Sequence, residues 1–298
     1  MTVPDALAAR YEEVRTENRL HAVPPHVVDA VIVDGRRAVL KRDVGPRGSA
    51  GVEGRVLRLV GARTALPVPE VLAVGPDWFL AAHHPDAPAP EEAAPADEAC
   101  ARPAGRALAR LHADAVSAVE GYGALRVGVD GSLAGPDHDR WHDAALAFVH
   151  DRRPLLAEHG HADVAAAVEE WLAATSDAFA GAGGPTLCHG WFGPEHAPVE
   201  AGRLACIVDF EHALAAPPAF DVTRTELFVL SEGAREPFRA GYGAVRSLGN
   251  SPRDALAVLH GVYCFESLYV QNRHDPAETA ERARRLRRWT FDLLDDAG

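Results

Sequence analysis

The spacing of apolar residues predicts strands in the first third of the chain and helices in most of the rest. Two runs rich in β-branched residues flank Asp34-Gly35 within residues 27–43. An Asp-Gly pair between such runs predicts a tight hairpin, because both positions tolerate a positive φ. Residues 71–75 and 77–82 predict two more strands. Residues 4–19 instead carry apolar positions at helical spacing, which predicts an amphipathic opening helix.

Helical spacing recurs at 51–60, at 104–112, twice within 140–180 and over 252–293. Residues 85–99 are rich in Pro, Ala and acidic residues and have no apolar periodicity, so we interpret them as a linker. We therefore expect an α+β fold with two lobes. The first lobe, a small antiparallel β-sheet, covers residues 1–84, and the second, larger and mainly helical, covers residues 100–298.

Two short apolar strands are predicted late in the chain, from Pro185 to His189 and from Leu204 to Val208. Asp209 follows the second strand directly, and Asp221 comes twelve residues later. A carboxylate at the end of a buried strand is unfavourable unless it is paired or holds a cation. Asp209 is therefore a candidate cation ligand, with capping of the following turn as the alternative.

Composition indicates which partners and which cellular compartment to expect. The formal net charge of −13 argues against a nucleic-acid-binding surface. The first residues include acids and no apolar core segment, so no signal peptide is expected. No run approaches the length needed to span a bilayer, so we expect a cytoplasmic protein without a membrane partner. The four cysteines form no C-x-x-C pair, which indicates neither a disulfide framework nor a zinc ribbon.

Lys41 is the only lysine among the 30 basic residues, and it lies at the end of the second strand of the predicted hairpin. Arginine carries a planar guanidinium, whereas lysine carries a compact ammonium on a flexible chain. A single lysine in such a chain indicates a role that arginine fills less well.

Six residues in the segment around Asp209 resemble the aminoglycoside phosphotransferase and choline kinase group of protein-kinase-like enzymes. In that family the catalytic loop reads H-G-D-x-x-x-x-N, a later strand supplies a metal-binding Asp in a D-F-G or similar setting, and another Asp follows about a dozen residues on. The matching residues here are His189, Gly190, Pro194, Asp209, Phe210 and Asp221. Two positions depart from the pattern: Trp191 stands where the family has its catalytic base, and His196 where it has a metal-binding Asn.

The resemblance implies ATP and Mg²⁺ as cofactors and a small hydroxylated molecule as substrate. It implies that Lys41 binds the ATP phosphates and that Glu53 pairs with this lysine. It implies Asp209, with His196, as the metal site. The candidate catalytic residues are His189, Glu195 and His196. Glu195, His196 or Glu211 could take over the role of the family's Asp, and Glu195 is the nearest of them in sequence to Trp191.

Two alternatives remain open at this stage. Trp191 cannot take a proton, so the fold could bind a nucleotide or metabolite without turnover and act as a sensor or a partner. The second alternative is a metal-dependent hydrolase whose site consists of Asp209, His189 and His196. An acidic cleft would suit a cationic acceptor such as an aminoglycoside or choline, but the acidity belongs to the whole chain and does not single out a cleft.

Overall fold

A five-stranded antiparallel sheet forms the N-terminal part of the chain in the computed structural model, which describes residues 5–88, 98–248 and 252–297. The predicted hairpin is present: Val33 pairs with Arg36, and Asp34 and Gly35 have φ angles of 46° and 77°. Positive φ at both central positions gives a turn whose twist matches that of the flanking strands. The strands, in the spatial order β1-β2-β3-β5-β4, are β1 (Val14–His21), β2 (His26–Val33), β3 (Arg36–Asp43), β4 (Val71–Val74) and β5 (Trp78–Ala82).

The predicted opening helix is wrong over most of its length. Only α1 (Asp5–Ala8) is helical, and Val14–His21 form the edge strand β1, which pairs antiparallel with β2. Helical periodicity is a weak local preference, and pairing with an open sheet edge outweighs it here.

Helix α2 (Ala50–Arg63) packs on this sheet through Val56, Leu57 and Val60. A Cβ atom at Gly54 would lie 2.5 Å from Cβ of Phe79, so the absence of a side chain lets the helix lie close to β5. This close packing places the first turn of α2 beside β3. We call β1–β5 and α2 the N-terminal lobe.

Helices form most of the remaining chain, which we call the C-terminal lobe. They are α3 (Glu98–Asp114), α4 (Trp141–Glu158), α5 (Ala162–Ala174), α6 (Pro218–Phe228), α7 (Glu232–Gly243), α8 (Arg253–Gln271) and α9 (Pro276–Ala297), with a 3₁₀ turn at Val116–Ala118. The sequence patterns predicted all of them except α6 and α7. Helix α7 packs along α3 and supplies the buried Phe238 and Tyr242 to the core.

Short strands connect these helices. β6 (Gly123–Ala124), β12 (Leu214–Ala216) and β9 (Thr186–Cys188) form one sheet, and the hairpins are β7 (Arg126–Val127) with β8 (Leu133–Ala134) and β10 (Val199–Glu200) with β11 (Arg203–Leu204).

Of the two predicted late strands, the first is present as β9. The second is wrong beyond Leu204, because the next N–H groups do not join a strand ladder. Ile207 donates to the carbonyl of Pro67 at 2.8 Å, and Val208 donates to that of His196 at 2.9 Å.

One apolar core joins the two lobes. Val56 of α2, Leu108 of α3, Phe210 and Phe238 of α7 belong to the same cluster. The α+β fold with an N-terminal antiparallel sheet and a helical C-terminal part is confirmed. The predicted linker stays a prediction, since its residues 89–97 lie outside the described residues. Within the described ranges, the helices include no candidate for crossing a bilayer.

Candidate active site between the two lobes

Lys41 lies at the junction of the lobes, where β3 meets the first turn of α2 and the chain after Val208. Its side chain is 7% exposed, and Nζ lies close to three carboxylates. The distances from Nζ are 2.8 Å to Glu53 Oε2, 2.7 Å to Asp209 Oδ1 and 2.9 Å to Glu211 Oε2. The structure therefore brings the only lysine together with two of the predicted site residues and with Glu211.

The charges in this cluster depend on one another. Burial alone would lower the pKa of Lys41, but the charges of Asp209, Glu211 and Glu53 raise that pKa well above its ordinary value. Burial raises the pKa of Glu53 to about 7, against the opposing effect of Lys41. Burial and Glu211 act to raise the pKa of Asp209, yet Lys41 and His196 outweigh them and hold it below its ordinary value. Lys41 thus stays charged, and it stabilises at least two ionised carboxylates.

His26 extends this cluster into the N-terminal lobe. Its Nε2 lies 3.0 Å from Glu211 Oε2, and its Nδ1 lies 2.9 Å from Asp43 Oδ1. Burial alone would lower the pKa of His26, but the hydrogen bonds with Asp43 and Glu211 raise it to about 9. Sequence reasoning missed His26, because its partner Glu211 is remote in the chain and no local pattern marks the contact.

Asp221 fixes the loop that resembles the catalytic loop. Its carboxylate accepts the N–H of His189 at 2.6 Å and of Gly190 at 2.8 Å, and lies 3.1 Å from His112 Nε2. Burial would raise the pKa of Asp221, but the hydrogen bond with His112 lowers it below its ordinary value. Gly190 has a φ of 87°, and a Cβ there would lie 2.1 Å from the carbonyl oxygen of His212. Only glycine fits this turn.

His189 is buried, and both ring nitrogens are engaged. Nε2 lies 3.0 Å from the carbonyl oxygen of Val208, and Nδ1 accepts the N–H of Trp191 at 3.3 Å. Burial and the charge of His196 lower the pKa of His189 to about 4, so the ring is neutral near pH 7. These contacts join the loop to the segment before Asp209, and they leave neither ring nitrogen for the metal ligation that the hydrolase alternative requires.

The indole of Trp191 is held by a hydrogen bond and by ring contacts. Its Nε1–H donates to Glu195 Oε1 at 2.6 Å. The ring also packs against Phe228 and Tyr263, with centroid distances of 6.2 and 6.3 Å. Glu195, the nearest candidate in sequence to take over the role of the family's catalytic Asp, is thus hydrogen-bonded to Trp191.

His196 contacts the candidate metal ligand Asp209. Its Nε2 lies 3.1 Å from Asp209 Oδ2, and its Nδ1 lies 3.1 Å from the carbonyl oxygen of Trp191. Burial would lower the pKa of His196, but Asp209 raises it to about 9. Asp209 is therefore flanked by cations on both oxygens, Lys41 at Oδ1 and His196 at Oδ2.

A cavity of about 200 Å³ adjoins this cluster. The N-terminal lobe contributes Pro25, His26 and Ser49 to its wall, and the C-terminal lobe contributes residues of α4, α6 and α8. Glu211 belongs both to this wall and to the Lys41 cluster. His212 Nε2 lies 3.1 Å from Glu211 Oε1 and 2.6 Å from the hydroxyl of Tyr263, so polar contacts continue along the wall.

A five-stranded antiparallel sheet above a helical lobe, with a buried Lys–Glu pair at the junction, defines a protein-kinase-like fold. The sequence of residues 28–261 matches the phosphotransferase enzyme family. The match covers most of the chain, and the chain belongs to this family. The resemblance inferred from the sequence is confirmed. No curated protein matches the chain by sequence.

Several solved structures share the fold. One is a thermostable mutant of aminoglycoside phosphotransferase APH(4)-Ia in a ternary complex with ADP and hygromycin B, at 18% identity and a TM-score of 0.65, covering 100% of this chain and 98% of that one. Another is the apoenzyme of macrolide 2'-phosphotransferase MphH from Brachybacterium faecium, at 21% identity and a TM-score of 0.56, covering 93% and 94%. A macrolide 2'-phosphotransferase type I matches at 18% identity and a TM-score of 0.60, covering 96% and 98%. At these identities the likeness shows the fold.

Proposed function

We propose that the protein uses ATP to phosphorylate a hydroxyl group of a small molecule, with an atypical catalytic loop. The observation that carries this proposal is the ion cluster of Lys41, Glu53, Asp209 and Glu211 at the edge of a cavity between the lobes. Membership of the phosphotransferase enzyme family supports the reaction class.

Lys41 would bind the ATP phosphates, and Glu53 would hold its ammonium in place. A compact ammonium suits this position, because it acts as a point charge towards several phosphate oxygens. The complex of the similar aminoglycoside phosphotransferase with ADP supports nucleotide binding by this chain.

The donor atoms near Lys41 fit Mg²⁺. Glu53, Asp209 and Glu211 offer ligand atoms that all lie within 4.8 Å of one another, and carboxylate oxygens are the ligands that Mg²⁺ prefers. When bound, Mg·ATP supplies the phosphoryl group and a divalent charge that offsets the phosphate oxygens. Asp209 would be the principal protein ligand. His196 is a poorer ligand for this ion, and its contact with Asp209 Oδ2 would orient that carboxylate.

Another carboxylate must accept the proton of the substrate hydroxyl, because Trp191 cannot. Glu211 lines the cavity and also contacts Lys41. Its carboxylate would therefore lie close to a substrate hydroxyl that is bound beside the ATP phosphates. Glu195 is the second candidate, bonded to the indole of Trp191. His189 would keep the loop in position through its contact with Val208.

Thermal denaturation with and without Mg·ATP tests the nucleotide site. We expect Mg·ATP to raise the melting temperature of the wild type and to have no such effect on Lys41→Ala or Asp209→Ala. Arg153→Ala is the control, since Arg153 is exposed and pairs with Glu169 away from the cavity. A full shift in the Lys41 and Asp209 variants would refute the assigned site.

Release of ADP, measured with a panel of sugars, amino alcohols and hydroxy acids, tests turnover. We expect acceptor-dependent release that Asp209→Ala abolishes. Glu211→Gln and Glu195→Gln then separate the two candidate bases: loss of kcat with retained Mg·ATP binding identifies the base.

Binding without turnover is the second candidate function, and the indole at position 191 favours it. Removing a positioned base lowers a rate by about two to four orders of magnitude. A Mg·ATP shift that depends on Lys41, together with no ADP release from any acceptor, would support this alternative over the enzyme.

A further inference from the structure

Arg224 of α6 carries a buried guanidinium that is only partly bonded. It is 2% exposed, and its Nη1 donates to the carbonyl oxygen of Gly190. Its Nε and Nη2 have no hydrogen-bond partner, and no ion pair among the described residues includes Arg224. A buried charged group whose N–H donors lack acceptors is unfavourable, so an acceptor that binds these two nitrogens would stabilise the site.

The two unsatisfied nitrogens form one edge of the guanidinium. Nε–H and one N–H of Nη2 point in parallel, and this spacing matches the two oxygens of a carboxylate or two oxygens of a phosphate. The face of the group is already occupied, since its Cζ lies 3.5 Å from the ring centroid of Tyr263. Stacking on Tyr263 orients the guanidinium plane, and the buried Nε/Nη2 edge is left without a hydrogen-bond partner.

The cavity beside the Lys41 cluster includes Arg224 in its wall, together with Arg47 and Arg152. Arg47 Nη1 lies 2.8 Å from Glu266 Oε1, and Arg152 Nε lies 2.6 Å from Glu266 Oε2. Asp151 Oδ2 also lies 2.8 Å from Arg47 Nη1, so these two arginines are paired with two carboxylates, while Arg224 has no carboxylate partner among the described residues. Arg224 is therefore the arginine of this wall whose charge no carboxylate of the described residues offsets.

The rest of the wall provides an apolar surface, formed by Leu125, Phe148, Leu214, Phe220 and Val270. A ligand that fits the cavity would combine an apolar body with a negatively charged group. An ammonium group placed there would face the unpaired charge of Arg224, and like charges repel.

We propose that the cavity binds an anionic hydroxylated molecule whose carboxylate or phosphate pairs with the free edge of Arg224. The identification of this molecule as the phosphate acceptor rests on the proposed function, whereas its binding does not. The substrate class is thus a hydroxy acid or a phosphorylated alcohol with an apolar body. A cationic acceptor, which an acidic composition would suit, would leave the charge of Arg224 unpaired.

Calorimetric titration of the full-length chain with matched probes tests the proposal. 3-Phenyllactate and phenylalaninol share a phenyl group and a hydroxyl, but the first carries a carboxylate and the second an amine. 2-Phenylethyl phosphate distinguishes a phosphate ligand from a carboxylate. We expect one of the two anionic probes to bind at least tenfold more tightly than the amine, as expected for hydrogen bonds to charged groups. The tighter of the two identifies the group.

Two variants assign the selectivity to Arg224. Arg224→Gln should remove the preference for the anion, and Arg224→Lys, which keeps the charge without the paired N–H edge, should weaken anion binding about tenfold. Arg153→Gln is the matched control for loss of a remote arginine. The Mg·ATP shift in the same variants shows that they fold and that the nucleotide site is intact.

Equal or tighter binding of the amine would overturn the proposal, and so would the absence of binding by all three probes. Retention of the anion preference in Arg224→Gln would overturn the role of Arg224. If ADP release is absent but the anion preference is present, the proposed phosphotransfer fails while this inference stands.

Discussion

Replacing Lys41 by Met should destabilise the protein, and the size of the effect should depend on pH. The side chain keeps much of its volume but loses the ammonium that faces Glu53, Asp209 and Glu211. Glu53 is 2% exposed, so its carboxylate cannot turn to bulk water for compensation. Removing one partner of a buried ion pair costs about 3–5 kcal/mol of unfolding free energy.

The pH dependence follows from Glu53, whose pKa in the wild type is raised to about 7. A carboxyl with a raised pKa in the folded state binds a proton there, so its contribution to stability is present at low pH and lost as pH rises through that pKa. Without Lys41 the pKa of Glu53 rises further, and the loss continues above pH 7. At about 1.4 kcal/mol per pH unit, the variant should lose about 2 kcal/mol more at pH 8.5 than at pH 6.5.

Urea unfolding of the wild type and of Lys41→Met at these two pH values measures both quantities. Arg36→Met is the control, because Arg36 and Glu70 form an exposed pair whose loss should change stability by at most about 1 kcal/mol. The double variant Lys41→Met, Glu53→Gln should recover part of the loss at pH 8.5. Equal losses at both pH values, or no recovery in the double variant, would refute the reasoning.

Three more outcomes are expected. Trp191→Asp should raise ADP release by about two to four orders of magnitude, and no gain with any acceptor would argue against the indole as the block to turnover. Asp221→Ala should lower stability by about 3 kcal/mol in urea unfolding and abolish the Mg·ATP shift, because His189 and Gly190 lose their acceptor. His26, with its pKa raised to about 9, contributes stability that is complete below pH 6.5 and lost as pH rises to 9. His26→Gln should therefore flatten that part of the pH–stability profile, and an unchanged slope would contradict the contact.

The sequence allowed a prediction of the site residues whose signals are local. Lys41 was found because it is the only lysine and ends a hairpin strand, and Asp209 because it follows a buried apolar run. Their proximity could be inferred only through the family resemblance, since 168 positions separate them. His26 and Arg224 were missed, because their importance arises from contacts with distant residues and from burial, neither of which leaves a pattern.

The parts of the fold that have local sequence signals were also predictable. The prediction failed where pairing with a distant segment determines the secondary structure. The hairpin at Asp34 and the helices with clear apolar faces were correctly predicted. Residues 14–21 have a helical pattern but pair with β2 as a strand. The chain after Leu204 looks like a strand but bonds with Pro67 and His196 instead. In both cases the outcome depends on hydrogen-bond partners supplied by segments far away in the sequence.

The two carboxylate oxygens of Glu211 contact two neighbouring groups of residues, one around Lys41 and one on the cavity wall. Oε2 contacts Lys41 and His26, and Oε1 contacts His212 on the cavity wall. A ligand that draws Lys41 away from Oε2 therefore alters the charge felt by a second ligand near His212. Thermodynamic linkage requires the two affinities to change by the same factor, so nucleotide and acceptor should bind with reciprocal cooperativity rather than independently. Titrating each in the presence of the other gives the sign of that cooperativity.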